Sequence, residues 1–297
     1  MIRVEGLTKR FGTVTAVHDL SFEVGAGAVT GFIGPNGAGK STTMRIILGL
    51  DRPTAGRALV NGTEYARLRR PTAVVGAVLD PNAMHRGRTA RAHLRWAATA
   101  AGVPGARSDE VLEQVGLARA SSRRIGALSL GMRQRLAIGV ALLGRPSVLI
   151  LDEPLNGLDP GGIVWMRGVL TDIAAEGGTV LISSHLMNEM QETADHVVLI
   201  AAGRLVASLG MEELITRASG VVRVAGEDLG LLPARLTREG ATVSLAPDGR
   251  LDVSGIDSRA IGRIALELGV VLDELSPERG GLEQRFLDLT STLERVA

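Results

Sequence analysis

Apolar and polar residues alternate over residues 2–7 and 17–24, the period of two that predicts half-buried strands, with a turn at Phe11-Gly12 between them. A run holding Val29, Phe32 and Ile33 predicts a buried strand, and residues 41–48 then take helical spacing. Ala58-Leu59-Val60 predicts a short strand ending at the turn Asn61-Gly62, and 74–79 predicts another. Residues 89–143 read as helical and are rich in Ala, Arg and Leu. The unbroken apolar run 148–151 predicts a strand covered on both faces. A helix is expected over 163–175, a strand over 179–183, and a hairpin from 197–200 and 205–207. Strands alternating with helices imply a mostly parallel sheet with helices on both sides.

A helix predicted over 211–217 closes this pattern, which then restarts. The expected order is strand 221–224, helix 229–239, strand 242–245, the turn Pro247-Asp248-Gly249, strand 251–253, helix 258–268 and strand 270–275. That βαββαβ order predicts a small ferredoxin-like α/β domain. A last helix is expected over 282–293. The chain is therefore read as a large domain over 1–218, with a helical subdomain at about 83–140, and an accessory domain over 219–297.

Composition narrows the function. A length of 297 residues suits one large domain with a smaller one, and the 45% apolar share supports real cores. With only 2% aromatic residues, those cores are built from Ala, Val, Leu and Ile. Net charge is +1 with both signs interspersed, so no basic footprint argues for a nucleic-acid partner. The absence of cysteine excludes disulfides and thiolate metal sites and fits a reducing cytosol. Met1-Ile2-Arg3-Val4-Glu5 has no signal-peptide character. No apolar run approaches the roughly eighteen residues of a spanning helix. Any membrane role is thus expected to come through a partner.

The chemistry starts at Gly34-Pro35-Asn36-Gly37-Ala38-Gly39-Lys40-Ser41-Thr42, two glycines five apart followed by Lys and Ser, between a predicted strand and a predicted helix. Glycines let backbone N–H groups turn inward on phosphate oxygens, and the helix start adds free donors and a positive dipole end. Lys40 would reach the β- and γ-phosphates, and the Ser41 hydroxyl would hold Mg²⁺. Only Lys9 and Lys40 are lysines in a chain that otherwise uses Arg, which places a compact ammonium where a guanidinium fits poorly. The second element is Val148-Leu149-Ile150-Leu151-Asp152-Glu153. It delivers Asp152 beside the loop as a Mg²⁺ carboxylate, and Glu153 one residue further as the base that polarises water.

Those two segments, with the ones that follow, resemble the nucleotide-binding subunit of an ATP-binding cassette (ABC) transporter over roughly residues 2–215. The resemblance implies a P-loop NTPase fold of the ABC ATPase type, with an antiparallel β subdomain and a helical subdomain. Leu128-Ser129-Leu130-Gly131-Met132-Arg133-Gln134-Arg135 is similar to the family signature, in which Ser129 and Gly131 face a γ-phosphate held by the other subunit. Leu130 and Met132 stand where the family usually has Gly and Gln. Asn156-Gly157-Leu158-Asp159-Pro160 resembles the dimer-contact loop, with Asp159 reaching the opposite subunit and also suited to cap a helix. His185 resembles the switch histidine at the γ-phosphate, and Phe11 the aromatic residue stacked on adenine. Asp80 stands where the family has a Gln that contacts Mg²⁺ and water; it keeps an oxygen ligand but is shorter and charged.

The implied activity is ATP hydrolysis at the interface of a homodimer, with Lys40, Glu153 and His185 catalytic and Ser41, Asp152 and Asp80 at the metal. The implied partner is an integral-membrane permease on a separate chain, which would meet the helical stretch 83–127. The chain would sit in the cytoplasm, on the cytoplasmic face of the membrane. Leu-Gly-Met in the signature, Asp80 and the appended domain look like the drug- and peptide-export or self-resistance members of the family. The competing reading is a soluble ABC-type ATPase acting on ribosomes or nucleic acid. Against it, the phosphate-loop pattern does not recur after Lys40, and the stretch between Lys40 and Leu128 is too short for an inserted coiled coil.

Overall fold

The computed structural model describes residues 1–218, 221–226, 228–246 and 249–278. The chain runs β1 (Ile2–Phe11), β2 (Val14–Val24), β3 (Ala28–Ile33), α1 (Lys40–Ile47), β4 (Ala55–Val60), α2 (Pro71–Val74) and β5 (Val75–Val78). Helices α3 (Ala90–Ala100), α4 (Arg107–Gln114) and α5 (Leu130–Leu142) follow. Then come β6 (Val148–Leu151), α6 (Pro160–Ala175), β7 (Thr179–Ser184), α7 (Met187–Gln191), β8 (His196–Ala201) and β9 (Arg204–Gly210).

Strands β2, β1 and β4 form an antiparallel sheet in that order. Ile2 and Val4 face the core, and so does Leu7, three residues on rather than two. A register shift between Val4 and Leu7, with Gly6 at φ 55°, takes up the extra residue. The second sheet has the order β5-β6-β7-β3-β8-β9, and from β5 through β8 each neighbouring pair is parallel. All four residues of β6 are fully buried, which is why that strand reads as a continuous apolar run. Phe22 of the first sheet and Phe32 of the second meet at 5.2 Å between ring centroids, inside one shared core. Helices α3, α4 and α5 have a core of their own, around Leu94, Leu112, Ile125 and Leu136. The long helical stretch expected from sequence is interrupted there: Gly102 and Gly116 take positive φ and end α3 and α4.

A first compact unit reaches Leu209 and a second opens at Gly210. The helix α8 (Met211–Ala218), expected from sequence to end the first domain, therefore goes with the second unit. That unit continues as β10 (Val221–Ala225), α9 (Leu232–Arg238), β11 (Thr242–Leu245), β12 (Leu251–Ser254), α10 (Ser258–Glu267) and β13 (Glu274–Glu278). Its sheet order is β11-β12-β10-β13 with every neighbouring pair antiparallel, the ferredoxin-like arrangement. The last strand starts four residues later than the sequence suggests. Gly269 ends α10 at φ 69° and the Val270 N–H bonds back to Ala265 O, which spends Val270 on the helix end. Val271 is left exposed, and pairing with β10 begins only at Glu274 opposite Ala225. The helix expected over 282–293 lies outside the described residues.

Candidate functional site

The carboxyl ends of β3, β6 and β7 lie side by side in the parallel sheet, the edge where such sheets bind ligands. The phosphate loop leaves β3 there and enters α1. Its glycines are required sterically. A Cβ on Gly34 would lie 2.6 Å from the Ile200 carbonyl, and one on Gly39 2.5 Å from the Ala16 carbonyl. Gly37 and Gly39 also hold φ of 83° and 99°. Gly39 is the N-cap of α1 and has no capping side chain, and no acidic residue sits in the first turn. The first-turn N–H groups thus face outward as donors for an anion. A shallow cavity of about 240 Å³ lies against the loop, lined by Ala16, Asn36, Lys40, Ser41, Thr42 and Glu153 among others.

Lys40 is 6% exposed, and its Nζ donates to Gly34 O at 2.6 Å and Pro35 O at 3.2 Å. Burial lowers its pKa, while the nearby carboxylates of Glu153 and Asp152 act the other way. A buried ammonium held this way gains most when a phosphate arrives to compensate it. Glu153 Oε1 lies 3.8 Å from Nζ.

Asp152 follows β6 directly. Its Oδ2 accepts from Ser41 Oγ at 2.6 Å and its Oδ1 from Ser183 Oγ at 2.5 Å. One hydroxyl and one carboxylate facing each other suit Mg²⁺, which takes few protein ligands and completes its shell with water and phosphate. Among the described residues no group of three or more His, Asp or Glu side chains converges on a ready-made metal cage. Glu153 then turns the chain off the strand at φ 48°, a conformation few non-glycine residues adopt. Its Oε2 meets His185 Nδ1 at 3.0 Å and accepts from Asn156 Nδ2 at 3.2 Å. Its backbone N–H donates to Ser183 Oγ at 2.8 Å, so one buried serine orients both acidic residues.

The sequence-predicted residues Lys40, Ser41, Asp152, Glu153 and His185 therefore meet at one place. Phe11, Asp80, Ser129, Gly131 and Asp159 do not line the phosphate-loop cavity. Phe11 ends β1, 51% exposed, with Lys9 Nζ 4.8 Å from its ring centroid. Asp80 is exposed beyond β5 and accepts from the Asn82 N–H at 2.8 Å, closing a turn. It lines a neighbouring cavity of about 500 Å³ with Leu79, Met84 and Trp96. Ser129 caps α5 by accepting from the Met132 N–H at 3.2 Å. Asp159 caps α6 by accepting from the Gly162 N–H at 2.7 Å. Sequence reasoning passed over Ser183 and Asn156. The signal for Ser183 was a pair of serines ending an otherwise apolar strand.

The family whose profile matches residues 17–156 is described as ABC transporter, and residues 220–283 match a domain of unknown function. The chain is 40% identical to the bacitracin transport ATP-binding protein of Bacillus licheniformis, over 73% of this chain and 72% of that one. It is 34% identical to the daunorubicin resistance ATP-binding protein of Streptomyces coeruleorubidus, over 99% and 97% of the two chains. A solved structure of the ATP-binding subunit of an ABC transporter superposes with a TM-score of 0.67 at 29% identity, covering 73% of this chain and 92% of the other.

Proposed function

The chain belongs to the ABC transporter family, and from that premise we propose that it powers export of an antibiotic, drug or peptide through a membrane permease on a separate chain. Two copies bind ATP head to tail on the cytoplasmic face of the membrane. Each nucleotide is held by the phosphate loop of one copy and by Ser129 and Gly131 of the other. Phe11 stacks on the adenine, and Asp159 reaches the opposite copy. Transport and resistance proteins among the relatives favour this reading over an ATPase working on ribosomes or nucleic acid.

The observation that carries the reading is the setting of Glu153. Its carboxylate is held by His185 and faces Lys40, one residue beyond the Asp152 that touches Ser41. Lys40 gives up its loop carbonyls for the γ-phosphate. Glu153 takes a proton from the attacking water, and His185 orients both Glu153 and the phosphate. Ser41 and Asp152 would hold Mg²⁺, which neutralises charge developing on the phosphate oxygens. Asp80 would supply a further oxygen ligand. Closure of the pair excludes water, and the charge separated by hydrolysis reopens it.

Glu153→Gln keeps the shape and removes the base. The variant should bind ATP, lose at least about a hundredfold in turnover, and accumulate as an ATP-bound dimer on size exclusion. Wild-type turnover in that variant would remove Glu153 from the mechanism.

A further inference from the structure

Glu153 sits at the start of a turn that is fixed at several points to the signature helix α5. The Asn156 N–H closes the turn onto Glu153 O at 3.3 Å, and Leu155, 2% exposed, anchors it in the core. Gln134 on α5 is 2% exposed and donates its amide to Pro154 O at 3.1 Å. Leu130, the first residue of α5, covers Gly157 so closely that a Cβ there would lie 2.2 Å from Leu130 Cδ2. The family's usual Gly at position 130 could not make that contact. Departure at Leu130 and glycine at 157 are complementary.

The turn presents one side chain back to its own start, the amide of Asn156. We propose that Asn156 is a positioning residue that aims the Glu153 carboxylate; the proposal rests on the reading of Glu153 as the base. Among the described residues, Lys40 from α1 and His185 from beyond β7 are the charged or titratable groups in contact with that carboxylate. The last torsion of a glutamate is broad, so nothing intrinsic fixes its plane. With His185 alone on Oε2, the carboxylate is free to swing toward the Lys40 ammonium 3.8 Å from Oε1. Asn156 opposes that swing by donating its amide to Oε2. It is exposed, so its replacement leaves the core untouched.

The test is steady-state ATPase kinetics of the full chain with Asn156→Ala, Asn156→Leu and Asn156→Gln, each also made in the Glu153→Gln background. Losing a hydrogen bond to a charged group corresponds to about tenfold to a hundredfold. Asn156→Ala and Asn156→Leu should lower kcat by that factor with KM for ATP changed less than about twofold. Asn156→Gln, which keeps an amide, should recover part of the loss. In the Glu153→Gln background Asn156→Ala should cost nothing further, and the ATP-bound dimer should still form. The proposal is overturned if kcat stays within about twofold of wild type, if the loss sits in KM, or if it persists in full without Glu153. Normal turnover by Glu153→Gln alone would instead sink the parent reading, so the two failures are separable.

Discussion

Two buried serines at the end of β7 show how much of this site rests on single hydroxyls. Ser183 is fully buried and serves two masters, donating to Asp152 and accepting from the Glu153 N–H. Ser184, 1% exposed, accepts from the Leu186 N–H and donates to Glu189, which shapes the bend that carries His185. Removing the Ser183 hydroxyl leaves a backbone donor and a carboxylate oxygen without their partner, a cost of about 1–3 kcal/mol. Ser183→Ala should therefore lower kcat about tenfold or more while ATP binding, followed by isothermal titration, stays within a few-fold of wild type. Unchanged kcat would mean that Asp152 and Glu153 are aimed without it. Lys40 carries the opposite lesson. Its burial lowers its pKa, and the carboxylates of Glu153 and Asp152 act against that shift.

At the scale of elements, close approach is set by glycine. Gly76 in β5 passes under α5, where a Cβ would lie 2.4 Å from Ala141 O and 2.9 Å from Pro146 Cγ. A backbone carbonyl cannot give way as a flexible side chain can, so Gly76→Ala must push the helix from the sheet. Overpacking of that kind costs about 1–3 kcal/mol, which lowers Tm by roughly 2–10 °C in a unit of this size. Gly168 in the middle of α6 is the control. A Cβ there meets nothing within 4 Å, so Gly168→Ala should hold or raise Tm in the same calorimetric scan, since alanine is the better helix former. Equal losses in both variants would show that the β5–α5 approach does not decide the outcome. The same geometry explains why α5 matters twice. Its N-terminus carries Ser129 and Leu130, and its body, through Gln134, holds the turn behind Glu153.

As a whole molecule, the chain is the ATP-binding and ATP-hydrolysing subunit of an ABC transporter, and among the described residues no helix is long and apolar enough to cross a membrane. The phosphate loop, Asp152, Glu153 and His185 all lie in the unit that reaches Leu209, which has cores of its own. The second unit has a separate core around Val224, Leu236, Val253 and Ile261. Removing residues 220–297 should therefore leave ATP binding within about threefold of the full chain, because cores that do not share residues fold as separate units. A truncated chain that fails to fold would place the boundary elsewhere.

What the sequence alone determined is local. Glycine spacing with Lys40 and Ser41, the apolar run ending in Asp152-Glu153, and the order of the motifs follow from torsional freedom and hydrophobic runs over a few residues. Even the ferredoxin-like order of the second unit was legible, since strand and helix periods differ. The tertiary structure alone decided which strands are neighbours, and hence that Ser183 reaches Asp152 across the sheet and that Leu130 closes on Gly157. It also decided that Val270 belongs to a helix end rather than to a strand. Each of these depends on partners far along the chain or on a competing backbone bond, and propensity carries no information about either.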